Sequence, residues 1–254
     1  MTAAAILISC SVKEERGGCP CRLEVDISEA SPSGGIVSSR IETRESVMTI
    51  NADPATESLL TADVPKGYVN VTCIQGIRSN RNDGTDVIIP EGFEADSIMV
   101  SLNKILCSGE NASCKAMFHK NWATLTILEA NEPGRAYPYD IHIRGNINGL
   151  RLLSGKPLEG SFHCEAYRHT SEGTVSARIP RQKPDGKGLT LELVPFREDG
   201  IGKVYDLSDL ISSSGYDWTT EDLNDIRLYI DHAGCLTGIR VIDWKTGEDI
   251  SIVI

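Results

Sequence analysis

The chain has 254 residues and a formal net charge of −11, with 24% charged and 6% aromatic residues. An acidic surface without a basic stripe excludes recognition of nucleic-acid phosphate and disfavours adsorption to anionic lipid. The length suits one large domain or two small ones, and no apolar run reaches the ~18–20 residues that would cross a bilayer as a helix.

Residues 2–9 read TAAAILIS and stop at Cys10. The run is too short for a membrane helix and lacks the basic stretch of a secretory leader, so we expect the leader to begin upstream of Met1 or to be clipped. Leu7-Ile8-Ser9-Cys10 nevertheless resembles a bacterial lipobox, an aliphatic and small run ahead of the cysteine that receives diacylglycerol. Residues 1–9 are thus read as a signal remnant. Residues 10–18, polar and Gly-containing, are read as a lipidated tether. No Asp follows Cys10, and Lys13-Glu14-Glu15 resembles the export tag that carries some lipoproteins to the outer face of the outer membrane.

From residue 22 onward alternation dominates. Leu23, Val25 and Ile27 alternate with charged and polar residues, as do Ile98, Val100 and Leu102, and later Ile141 and Ile143; this period of two marks half-buried strands. Val175, Ala177 and Ile179 are read as one arm of a hairpin and Leu189, Leu191 and Leu193 as the other, joined by the Lys183-Pro184-Asp185-Gly186 turn. About 14–16 short strands follow from such signals, which is a sandwich pattern. The expected fold is all-β, with two tandem β-sandwich domains over residues 19–118 and 119–254. Helix is limited to connectors: one turn after Asp206 using Leu207, Leu210 and Ile211 and stopped by Gly215, and another after Thr219.

Eight cysteines leave an odd thiol if Cys10 carries lipid. Cys107 and Cys114 flank a polar turn and are expected to close a short disulfide across a hairpin. Cys19-Pro20-Cys21 has the wrong spacing for zinc. Nucleophile-elbow, phosphate-loop, zincin and dinucleotide signatures are missing, so no catalytic residue, metal, cofactor or small-molecule substrate is assigned. Asn82-Asp83-Gly84-Thr85-Asp86 is read as a turn rather than a calcium loop. His142 and His163 are read as solvent-facing strand residues. Trp122, Trp218 and Trp244 could form a sugar-stacking platform, although tryptophan in a sandwich is more often core.

Three stretches together resemble the FimB-type anchor family of type V fimbriae. The first runs from Ser9-Cys10 to Cys19-Pro20. The second includes Phe118-His119-Lys120, Tyr137-Pro138-Tyr139-Asp140, Arg144-Gly145-Asn146 and Gly155-Lys156-Pro157-Leu158. The third, the most specific, is Gly215-Tyr216-Asp217-Trp218-Thr219 with Glu221-Asp222-Leu223 and Ile230-Asp231. The span between Ser28 and Cys114 carries little of the likeness. The resemblance implies two transthyretin-like, Greek-key sandwiches and a lipid-fixed base on the outer membrane that contacts the first fimbrial stalk subunit. It implies no active site. An anchor of this kind must keep its first strand, residues 22–28, so another edge must meet the stalk. The final segment, with Ile250, Ile252 and Ile254 on one face, is the expected partner strand. A glycan-binding surface lipoprotein of the same architecture is the alternative.

Overall fold

The computed structural model describes residues 19–130, 138–169, 174–197, 200–231 and 233–253. Strands are numbered in chain order. Twenty strands lie among these residues, more than alternation alone suggested, because pieces as short as two residues complete the sheets.

In the N-terminal sandwich a three-stranded sheet orders β4 (Leu59–Val64), β1 (Cys21–Asp26) and β9 (Asn111–Lys115). Strand β1 runs antiparallel to β4 and parallel to β9. It faces a five-stranded antiparallel sheet of β10 (His119–Lys120), β8 (Met99–Cys107), β5 (Gly67–Gln75), β2 (Val37–Glu42) and β3 (Val47–Ala52). The alternation read in the first strand is realised: Cys21, Leu23 and Val25 are fully buried against Val69, Val71 and Cys73.

The C-terminal sandwich has a six-stranded sheet of β14 (Tyr167–His169), β15 (Thr174–Pro180), β11 (Trp122–Glu129), β18 (Asp225–Ile230), β19 (Leu236–Ile242) and β20 (Asp249–Val253). The opposing sheet orders β17 (Lys203–Asp206), β16 (Thr190–Pro195), β12 (Tyr139–Arg151), β7 (Asp86–Ile88) and β6 (Arg81–Asn82). Strand β13 (Lys156–Glu165) lines the other side of β12. Alternate residues of β11, β12, β15, β16 and β18 meet in one apolar core.

Three sequence expectations need correction. Strands β15 and β16 are not a hairpin, for they lie in opposite sheets and residues 181–189 cross the sandwich between them. Both strands carry one apolar face, and facing each other across the core buries both. In β8, Ser101 and Cys107 turn inward while Leu102 and Leu106 are exposed; Val100 is buried because this outer face packs on the second domain. The division at 118/119 is also not a clean cut. Strand β7 pairs with β12 of the C-terminal sandwich (Ile88 with Gly149, Val87 with Leu150, Asp86 with Arg151), and Glu94 and Ala95 bond to Arg178.

Together with Ile74, Ile98, Val100, Leu150 and Leu152, Val87 forms a small apolar cluster that joins the domains. A Cβ built on Gly149 would lie 2.0 Å from the Val87 carbonyl oxygen, so only glycine permits this approach. At the base of the segment, Asp96 is buried and one of its oxygens accepts the N–H groups of Arg78, Ser79 and Asn80 at 2.7, 2.8 and 2.7 Å. Three converging donors replace the water lost by that carboxylate.

The expected helix after Asp206 is present as α1 (Ser208–Ser213). Asp206 takes the Ser208 N–H at 2.8 Å, Leu207 and Ile211 enter the core, and Gly215 follows at φ 76°. The segment after Thr219 forms no helix; Asp217 holds the Thr219 N–H and hydroxyl there, both at 2.7 Å. Asn82 to Asp86 form a turn in which Asp83 accepts the N–H groups of Thr85 and Asp86.

Candidate functional site

Cys10, Lys13, Glu14, Glu15 and Ile254 lie outside the described residues. Cys107 and Cys114 are free thiols. The turn between them is not a hairpin: it carries the chain from the five-stranded to the three-stranded sheet, and β9 then runs parallel to β1 with Cys114 opposite Val25. The Cys107 thiol meets that of Cys21 instead.

The final strand is zipped to β19 in antiparallel register, Ile252 opposite Arg240 and Ser251 opposite Val241. Its attachments are modest. Asp249 pairs with Arg240 at 2.6 Å, and the Ser251 hydroxyl donates to the Ser214 carbonyl at 2.6 Å. Ile250 is 54% exposed. No strand among the described residues covers the outer edge of β20. It therefore presents unpaired backbone groups beside an exposed isoleucine, the two requirements for adding a partner's strand.

A second open edge, which sequence reasoning missed, lies on the same flank. Strand β17 ends the opposing sheet and is tied to the β18–β19 turn by hydrogen bonds from Lys203 Nζ to the Ala233 carbonyl and from the Tyr205 hydroxyl to the Gly234 carbonyl. Around it Val194, Phe196, Ile201 and Val204 are exposed, Ile201 to 90%. A cavity of about 240 Å³ opens beside them, lined by Tyr139, Leu193, Pro195 and Gly234. Helix α1 spans from β17 toward β20, so the flank carries two strand edges with apolar side chains between polar ties. The sequence signal was present: Val194 and Val204 sit at positions where alternation calls for polar residues.

The tryptophans form no platform. Trp218 is buried edge-on against Tyr216. Trp122 and Trp244 flank the ammonium of Lys120, whose Nζ lies 4.1 and 5.8 Å from their ring centroids. Lys120 is 1% exposed; its Nζ also donates to the Leu223 carbonyl at 3.0 Å and to Asp225 at 2.7 Å. Burial lowers its pKa, opposed by Asp225. Beside it the buried Arg181 guanidinium donates to the carbonyls of Trp218, Thr220, Glu221 and Lys120 at 2.6, 2.7, 2.9 and 3.4 Å. These two cations lock the Gly215-to-Leu223 stretch onto the strand linking the domains. A groove of about 640 Å³ runs alongside, lined by Leu102, His119, Pro157, Lys183 and Glu221 among others.

His142 and His163 stack with rings 5.1 Å apart and 6° from parallel, joined Nδ1 to Nε2 at 2.9 Å. They are half-buried on the outer face of β12 and β13 rather than freely solvated. No group of three or more metal-ligating side chains occurs among the described residues, and no helix there is long and apolar enough to cross a membrane.

No family model matches the sequence, and no curated protein matches it. Solved structures do resemble the fold. The fimbrial anchor protein Mfa2 of Porphyromonas gingivalis superposes with a TM-score of 0.63 at 13% identity, covering 92% of this chain and 100% of that one. A candidate polysaccharide-binding protein of Bacteroides thetaiotaomicron gives 0.63 at 12% identity, over 92% and 98% of the two chains. A candidate adhesin of the same organism gives 0.60 at 11% identity, over 89% and 97%. Across almost its whole length, this chain has the two-sandwich fold of a fimbrial anchor and of adhesin-like proteins.

Proposed function

We propose that this chain is a lipid-anchored surface subunit that fastens a type V fimbria to the outer membrane. The observation that carries the reading is the fold shared over 92% of this chain and the whole of a fimbrial anchor protein. The lipobox at Cys10, the Lys13-Glu14-Glu15 segment and the open edges of β17 and β20 supply the three parts such a protein needs: a membrane anchor, an export address and a docking edge. Diacylglycerol plus an N-acyl group on Cys10 gives the two or more chains that stable anchoring requires. The reading assigns no catalytic role. Deleting the gene should move fimbriae from cells to medium, seen by electron microscopy of both fractions. Labelling with a clickable fatty acid should mark the wild type and not Cys10→Ala; label retained by the variant rules out this anchor.

A second reading, glycan binding, is favoured by the groove of about 640 Å³ between the sandwiches, where Pro157 lies beside Glu221 and Lys183. A glycan array on the soluble chain tests it.

A further inference from the structure

We propose that Cys21 and Cys107 form a disulfide as the chain folds under oxidising conditions, fastening the first strand to the opposite sheet. The registers bring them together. Cys21 pairs with Val64 at the end of β4, and Cys107 pairs with Gly67 at the start of β5. Only Pro65 and Lys66 separate Val64 from Gly67, so the two cysteines flank one short link between the facing sheets, at the same end of the sandwich. Both side chains are fully buried in a single apolar cluster, where burial raises the pKa of Cys107 and the Cys21 thiol is close enough to raise it further.

The other buried or half-buried thiols are placed differently. Cys114 stands opposite Val25, four residues from Cys21 and so about 13 Å farther along β1. Cys73 pairs with Ser101, six residues along β8 from Cys107, and its sulfur accepts the Ser39 hydroxyl at 3.2 Å. Cys164 belongs to the other core.

The chemistry is exchange with a small-molecule or protein disulfide. One thiolate attacks the oxidant's disulfide and expels a thiolate; the second cysteine then attacks the mixed disulfide and expels the other. Two protons and two electrons leave the pair, and the oxidant becomes two thiols. In the folded protein this exchange is closed off. Neither sulfur reaches solvent, and burial, reinforced by the Cys21 thiol, holds Cys107 at about 11, so thiolate is scarce at neutral pH. Bond formation therefore belongs to folding, before the sheets close, and the finished bond is shielded from reductant.

Refolding the reduced full chain from urea with oxidised glutathione, followed by non-reducing peptide mapping, tests this. The expected result is one linked peptide pair joining Cys21 to Cys107, about 2 Da lighter than its thiols. It should be absent in Cys21→Ala and Cys107→Ala and retained in Cys73→Ala and Cys114→Ala. The bonded protein should resist dithiothreitol until urea is added, and reduction should lower Tm by roughly 5–10 °C. A wild-type map with Cys21 and Cys107 both unlinked, or linked to other partners, overturns the proposal, and this readout holds even if an alanine variant fails to fold. Rapid cross-linking of the already folded reduced protein overturns its restriction to folding.

Discussion

Lys120 Nζ lies 2.7 Å from Asp225 Oδ1, and that same oxygen accepts the Thr124 N–H at 2.6 Å. The carboxylate thus joins the first strand of the C-terminal sandwich to the linking strand before it. Lys120→Met should destabilise the protein by about 3–5 kcal/mol, because Asp225 keeps its charge and loses its cation. Lys120→Met with Asp225→Leu should recover part of that loss. Urea unfolding of the three proteins measures both effects; equal stability of the single variant and wild type would contradict the keystone role.

Gly149→Val should push β7 off β12, since the Val87 carbonyl occupies the space of the new side chain. A cost of about 1–3 kcal/mol is expected. Hydrogen exchange at the Ile89 amide, which donates to Asn148 at 2.7 Å, should quicken before the rest of the protein responds.

Stability should fall as pH drops below about 6.5. Burial, then Arg144 and His142, holds the pKa of His163 below its ordinary value. Between the folded and unfolded values the unfolded chain binds more protons, so the stabilisation present above the unfolded pKa is lost as pH falls toward the folded one. His163→Gln should flatten this limb of a stability–pH curve. NMR titration showing His163 protonating above 6.5 would reverse the sign.

A chain truncated after Gly247 should still fold, since β20 is an edge strand with few side-chain ties. Circular dichroism checks the fold, and microscopy of cells checks retention. Shed fimbriae support β20 as the docking edge. Fimbriae that stay on cells carrying the folded truncation exclude β20 and direct attention to another edge, β17 first.

Replacing Lys13, Glu14 and Glu15 by alanine should preserve acylation and leave the protein facing the periplasm. Protease added to intact cells should then digest the wild type alone; equal digestion would remove the export role.

Much of the fold was legible because a period of two is local. The inward residues of β11, β12 and β16 could be read in sequence, and so could the helix held by Leu207 and Ile211. What escaped depends on partners distant in the chain. Leu102 reads as core until the second domain is seen to take Val100 and leave Leu102 in solvent. Nothing local in the sequence marks Lys120 as buried, because nothing nearby announces Asp225 or Trp244. Cys107 was matched to Cys114 on sequence proximity, whereas the sheet crossover delivers it to Cys21. Val194 and Val204 break the alternation at polar positions, but that they share one exposed flank is a property of the assembled sheet.

The excursion of β6 and β7 into the second sandwich bears on the order in which the protein is made. As the chain leaves the ribosome, residues 81–88 emerge well before Gly149 to Arg151, the backbone they must pair with. The N-terminal sandwich can close around β1, β5 and β8 while this hairpin still waits for its acceptor, and the Val87 cluster stays open until β12 arrives. A fragment ending at residue 118 should therefore bind a separately supplied C-terminal fragment tightly, because each holds what the other lacks.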